Sequence, residues 1–152
     1  MQVTETQSAL FVQPETKIVP SSKTRRRAGT VMSTLAVLFL LFDSVMKLVK
    51  IQPVIEATQR LGYPEATARP IGILLLACVI LYVVPRTAVL GAVLLTGYLG
   101  GAIATHVRVE DPLFSHTLFP VYFGVLVWAG LYLRDARLSA LAPWRKSRSE
   151  VL

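Results

Sequence analysis

The chain has 152 residues, of which 53% are hydrophobic and only 16% charged, with a formal net charge of +7. Soluble domains carry about a quarter charged residues, so this composition excludes an ordinary water-facing globule and points to a lipid-facing surface. The positive charge does not indicate nucleic acid: ten of the sixteen Lys and Arg lie towards the two ends of the chain, at Lys17, Lys23, Arg25, Arg26, Arg27, Arg134, Arg137, Arg145, Lys146 and Arg148, and no nucleic-acid module accompanies them.

Residues 1–27 are polar, carry Pro14 and Pro20 and end in Lys23-Thr24-Arg25-Arg26-Arg27, which reads as a disordered cytoplasmic tail. Basic residues before an apolar run also describe a signal peptide, and Arg-Arg raises the twin-arginine variant. The apolar run is too long for cleavage and meets Asp43 and Lys47 where the cleavage site would fall, so an uncleaved signal anchor is expected. The first span covers about 28–49. From Gln52 to Gly62 the pattern is a short amphipathic helix at the outer interface, with Pro53 in its first turn and Gly62 as its stop.

The second span covers about 64–84, opened by Pro64 and Glu65, with Pro70 restarting or kinking it one turn further in. Cys78 lies in its middle. A lone cysteine excludes an intramolecular disulfide and any Cys-x-x-Cys motif, and its expected role is a small buried hydrophobe. Pro85-Arg86 is a connection short enough only for an antiparallel neighbour. The third span, about 87–106, is uncharged up to Arg108, and about 20 such residues cross the ~30 Å hydrocarbon layer. Gly97 and Gly101 form a small-xxx-small pair suited to packing between spans, or to a homodimer seam.

Residues 107–115 connect to a fourth span over about 116–133, with Phe119 and Tyr122 at one end and Trp128 and Tyr132 at the other, the arrangement of interfacial aromatic belts. Residues 143–152 form a basic C-terminal tail. The expected fold is all-α, a membrane-spanning antiparallel four-helix bundle. Four spans place both termini on one side, and their basicity makes that side the cytoplasmic face of the cell (inner) membrane. Arg86 agrees with this topology. Lys47, Lys50, Arg60 and Arg69 fall on the outer connection instead, where snorkelling or pairing with acids would accommodate them.

Several segments together resemble the DoxX-like family of small four-helix membrane proteins. They are Gly62-Tyr63-Pro64, Arg69-Pro70-Ile71-Gly72, Pro85-Arg86-Thr87-Ala88-Val89-Leu90-Gly91, Gly97-Tyr98-Leu99-Gly100-Gly101-Ala102, Ala104-Thr105-His106-Val107-Arg108, Pro120-Val121-Tyr122-Phe123-Gly124 and Leu131-Tyr132-Leu133-Arg134-Asp135. The resemblance covers roughly residues 30–142, within a DoxX-like domain taken as 28–142. It implies an accessory role of the kind played by the founding branch, a small subunit of a membrane quinol oxidase or thiosulfate:quinone oxidoreductase. It supplies no catalytic residues, and Leu74-Leu75-Leu76 stands where the founding branch often has an acidic residue.

Ionisable residues inside a span are costly unless paired or hydrated, so each is a functional candidate. Asp43 and Lys47 lie four apart on one helix face. With the N-terminus inside, they, Thr105 and His106 all fall at the outer end of the bundle, where Glu65, Arg69 and His116 also lie. A polar vestibule at the outer leaflet, lined by Asp43, Lys47, Thr105 and His106, is therefore expected. It would suit a quinone headgroup or another amphiphile, with His106 exchanging a proton near neutral pH. The competing reading makes Asp43–Lys47 a neutralised pair holding the first span in register, and His106 a wetted helix end. Axial haem ligation by His106 and His116 has little support, since no haem-attachment motif is present, and Tyr98 reads as packing or interface rather than a radical carrier. Three functional classes follow: an accessory subunit with an oxidoreductase partner, a carrier or binding protein for a small lipophilic molecule, and a structural protein whose tails bind anionic lipid. No metal cluster, nucleophile constellation or nucleotide loop suggests an autonomous enzyme.

Overall fold

The computed structural model describes residues 23–141, with side chains described as far as Leu138. Of the terminal tails expected over 1–27 and 143–152, residues 1–22 and 143–152 lie outside the described residues. The α-helices are α1 (Lys23–Val49), α2 (Gln52–Arg60), α3 (Ala68–Val83), α4 (Ala88–Arg108), α5 (Phe119–Arg134) and α6 (Ala136–Leu141). A 3₁₀ turn at Glu65–Thr67 leads into α3, and a π-helical turn at Leu113–Thr117 leads into α5. No strand occurs among the described residues. Four helical segments are long and apolar enough to cross a membrane: Lys23–Val49, Glu65–Val83, Ala88–Arg108 and Leu113–Arg134.

The boundaries follow local chemistry. Helix α1 begins at Lys23, so the basic cluster expected at the end of an irregular tail forms the first turns of a helix instead. Pro70 restarts rather than kinks its span: it is the third residue of α3, where an amide N–H has no helical partner to lose. Helices α2 and α4 both end in Schellman motifs. In α2, Gly62 takes φ 79°, its N–H bonds Gln59 O at 2.9 Å, and the Tyr63 N–H bonds Thr58 O at 3.1 Å. In α4, Glu110 takes φ 56°, its N–H bonds Val107 O at 3.1 Å, and the Asp111 N–H bonds His106 O at 3.1 Å. Each motif folds the following residue back onto its own helix, and those residues are Tyr63 and Asp111.

The spans form a ring in which α1 packs against α3 and α5, and α4 packs against the same two helices. Ala88, Ala92, Leu95 and Leu99 mark the core face of α4, meeting Leu75, Cys78, Val79 and Tyr82 of α3, Ala36 and Leu40 of α1, and Val127 and Leu131 of α5. The apolar side chains on the opposite faces, such as Leu38, Phe42, Ile73, Leu90 and Val125, are exposed. That surface is tolerable only in contact with lipid, so the chain is a multi-pass membrane protein.

Lipid is as apolar as leucine, so helices in a bilayer associate through close packing and interhelical hydrogen bonds. Both are found at the end of the bundle where α1 begins and α5 finishes. A Cβ on Gly29 would come within 2.8 Å of backbone atoms of Gly130 and Arg134, and one on Gly130 within 2.8 Å of Ser33 N. A Cβ on Gly91 would strike the backbone of Leu81 and Tyr82. The buried Tyr82 hydroxyl donates to Val127 O at 2.8 Å and shares a 2.9 Å bond with Ser33 Oγ. Arg134 lies over the Tyr82 ring and donates to Tyr82 O at 3.1 Å, near the C-terminus of α3, the favourable end for a cation.

Gly97 and Gly101 take no part in this packing. A Cβ on either would meet nothing within 4 Å, so within this one chain no other span presses on them. The reason is register: Leu95 and Leu99 occupy the core face of α4, and residues two positions further on point away from it. Close contact falls instead at Gly29, Gly130 and Gly91, and at Gly72, where Ser44 Oγ donates to Gly72 O at 3.0 Å.

Candidate functional site

At the opposite end of the bundle the four spans part around a cavity of about 560 Å³. Asp43, Lys47, Thr105 and His106, the four polar residues singled out in the sequence, all line it. So do Gly97 and Gly101, both exposed on α4. The remaining wall is largely apolar and aromatic. Phe39 of α1 stacks on Phe123 of α5 with ring centroids 4.2 Å apart, and Phe119 sits edge-on to Phe39 at 5.4 Å. Phe119 lines the cavity and remains 40% exposed. Trp128 donates through Nε1 to Thr96 Oγ1 on α4 at 2.8 Å.

The polar groups are paired within a few ångströms of one another. Lys47 Nζ donates to Asp43 Oδ1, both side chains being partly buried. Thr105 Oγ1 donates to Gly101 O at 2.9 Å and shares a 3.1 Å bond with the Tyr63 hydroxyl. His106 Nδ1 lies 2.7 Å from Asp111 Oδ2, and Arg60 Nη2 donates to Asp111 Oδ1 at 2.6 Å. The Asp111 side chain is only 4% exposed while that of Arg60 is 65% exposed, so a short polar chain runs from the cavity wall to the surface. Asp111 lies outside the spans. The hydrogen bond from His106 holds its carboxyl below the ordinary range; burial opposes this, and the positive charge of Arg60 adds to it.

A strap closes this end. Helix α2 and the turn Leu61-Gly62-Tyr63 contribute Thr58, Leu61 and Tyr63 to the cavity wall. The strap is tied to the end of α4 by Arg60–Asp111, by Tyr63–Thr105, and by Arg108 Nη2 donating to Leu61 O at 2.6 Å. Arg108 also lies over the Tyr63 ring, 5.5 Å from its centroid. These bonds account for cations that ran against the charge topology: Lys47 pairs with Asp43, Lys50 with Glu65 at 3.0 Å, and Arg60 with Asp111. Arg69 remains exposed.

Glu65, Arg69 and His116, placed by sequence at the same end of the bundle, do not line the cavity. The ring of His116 stands 6.0 Å from that of His106, tilted by 59°, and its Nδ1 contacts Ser115 Oγ at 2.8 Å. Among the described residues no group of three His, Cys, Asp or Glu is placed to hold a metal ion. Asp111, Arg60 and Tyr63 were not recognised from sequence as site residues. Gly62, already read as a helix stop, could have signalled Tyr63. Nothing comparable marks Asp111, because its turn is made by Glu110 in a conformation usually left to glycine.

No curated protein and no solved structure matches this chain. The model of the DoxX-like family matches residues 31–130, from the third turn of α1 to the Gly130 contact of α5, and the chain belongs to that family.

Proposed function

We propose that this DoxX-like membrane protein binds a small lipophilic molecule with a polar head, in the cavity beneath the α2 strap. The observation that supports this reading is the composition of one cavity wall: stacked phenylalanines and aliphatic side chains along its length, and Asp43, Lys47, Thr105 and His106 at its strapped end. A volume of about 560 Å³ lies within the ~300–1,000 Å³ of small-molecule sites. A purely structural Asp43–Lys47 pair would be better served by apolar packing around it than by open space. The strapped end is opposite the helix ends that carry the basic runs, so under the positive-inside rule the cavity faces the outer leaflet and both termini are cytoplasmic.

A quinone is one fitting occupant, its ring against Phe39 and Phe123 and its oxygens near Lys47 and His106. Quinones carry electrons and protons together, and the His106–Asp111 contact gives the second reading, an accessory subunit of a quinone-linked complex, its specific support. Equilibrium binding of a short-chain quinone to the purified protein in detergent tests the first reading. Gly97→Leu, Asp43→Asn and His106→Ala should each weaken binding by about tenfold, equivalent to ~1.4 kcal/mol. Native affinity in all three variants would rule this cavity out as the binding site. Co-purification of an oxidoreductase from the native membrane tests the second reading separately.

A further inference from the structure

Among the titratable side chains on the cavity wall, His106 is the one whose charge state is not already committed. Asp43 is matched by Lys47, and the carboxylate behind His106, Asp111, is matched by Arg60. An ionised carboxylate can only accept hydrogen bonds, so the 2.7 Å contact between His106 Nδ1 and Asp111 Oδ2 makes Nδ1–H the donor. The lone pair of the neutral ring therefore lies on Nε2. A proton arriving there creates an imidazolium that Asp111 stabilises, as a carboxylate behind a histidine does in acid–base sites.

That proton also adds a positive charge beside the Asp43–Lys47 and Asp111–Arg60 pairs, whose charges cancel, at an end of the bundle where Arg108 is a further cation over the Tyr63 ring. Charge in a poorly hydrated cavity needs a counter-charge close by. A permanently cationic ligand would add to that excess. A neutral weak acid would not: on giving its proton to Nε2 it becomes the anion that the imidazolium requires, and the total charge is unchanged. The stacked Phe39–Phe123 pair and the edge-on Phe119 offer ring faces and edges to a planar aromatic body.

We propose, building on the reading that this cavity binds lipophilic molecules, that its ligands are neutral aromatic weak acids bearing a hydroxyl, and that His106 takes the hydroxyl proton. In this step the ligand O–H bond breaks, an N–H bond forms at Nε2, and the electron pair stays on the ligand oxygen, so nothing is oxidised or reduced. Asp111 is a positioning residue that fixes the tautomer. The charged or titratable groups around His106 are Asp111 and Arg60, His116 beside it, Asp43, Lys47, Tyr63 and Tyr98 on the same cavity wall, and Arg108 over the Tyr63 ring.

An alkyl-chain nitrophenol is a suitable probe, because phenol and phenolate absorb at different wavelengths. The full chain in detergent is titrated with it one pH unit below the free probe's midpoint, where about a tenth of the probe is ionised in empty micelles. An opposite charge a few ångströms away shifts such a midpoint by about 1–3 units, so half or more of the bound probe should be phenolate, about a fivefold enrichment. His106→Gln should bind the probe in its neutral form, and Asp111→Asn should give an intermediate enrichment. Bound probe that is no more ionised than in empty micelles would overturn the proton transfer while leaving the binding reading intact. Equal enrichment in folded His106→Gln would do the same. If neither the phenol nor its methyl ether binds, the binding reading fails and the proposal with it. Should His106→Gln not fold, the native protein decides alone: the phenol must bind about tenfold tighter than its methyl ether, and equal affinities overturn the proposal.

Discussion

The two ends of this bundle are built from the same four helices and differ in what their small and polar residues do. At the end where α1 begins, Gly29, Gly91 and Gly130 let backbones touch, and the Ser33–Tyr82–Val127 bonds join three helices with no charged group among them. At the α2 end, Gly97 and Gly101 face open space, and charged side chains are paired around a cavity. A glycine is a contact device only where register points it at a neighbour; elsewhere it is a vacant volume. The same bundle thus has a closely packed end and an end with room for a ligand.

The strongest test of that contrast exchanges identical substitutions between the ends. Gly130→Val forces a side chain against the Ser33 N and Gly29 O backbone atoms, which no side-chain rotation can relieve. Overpacking of this kind should cost about 3 kcal/mol, visible as a large fall in thermal midpoint in detergent. A Cβ at Gly101 would meet nothing within 4 Å, so Gly101→Val should stay within about 0.5 kcal/mol of the native protein. Comparable losses in both variants would mean that Gly101 is packed against something, with a second copy of the chain the first possibility to examine.

This contrast also shows how much was legible in the sequence. The four spans, their order and the antiparallel arrangement follow from uninterrupted apolar length and short connections, both local properties. Grouping Asp43, Lys47, Thr105 and His106 needed only the direction of each span and the residue's distance from its end. What could not be read was rotation about the helix axis. Gly97 and Gly101 carry a familiar packing spacing, yet spacing does not say which way the pair faces, and Leu95 and Leu99 decide that through contacts made with other helices. Asp111 was hidden for another reason. Its return onto His106 depends on a left-handed Glu110, and non-glycine residues rarely announce that conformation.

A milder perturbation probes the closed end without changing its volume. Tyr82→Phe keeps the ring between the helices and removes the hydroxyl that bonds Ser33 Oγ and Val127 O. Interhelical hydrogen bonds in membranes average about 0.6 kcal/mol and reach about 1.7, so a loss of about 1 kcal/mol is expected. Ligand affinity at the other end should not change. A variant that unfolds as readily as Gly130→Val would show that the hydroxyl network, rather than glycine contact, holds this end together.

The smallest expected effect concerns the strap, and it is distinguished by its pH window. Folding lowers the proton affinity of the Asp111 carboxyl, chiefly through His106 and with a contribution from Arg60. A carboxyl whose folded value lies below its unfolded value stabilises the fold fully above the unfolded value, about pH 3.9, and loses that stabilisation as pH falls through the folded value. Asp111→Asn should therefore melt below the native protein at neutral pH, by a gap that closes only beneath about pH 3.9. Arg60→Gln should show a smaller gap over the same window, since it removes one of the two partners and leaves His106 in place. A gap that closed already between about pH 7 and 5 would assign the linkage to another group. A strap tied through Asp111 then could not be what holds α2 over the cavity, and its remaining bonds, Tyr63–Thr105 and Arg108–Leu61, would have to carry it.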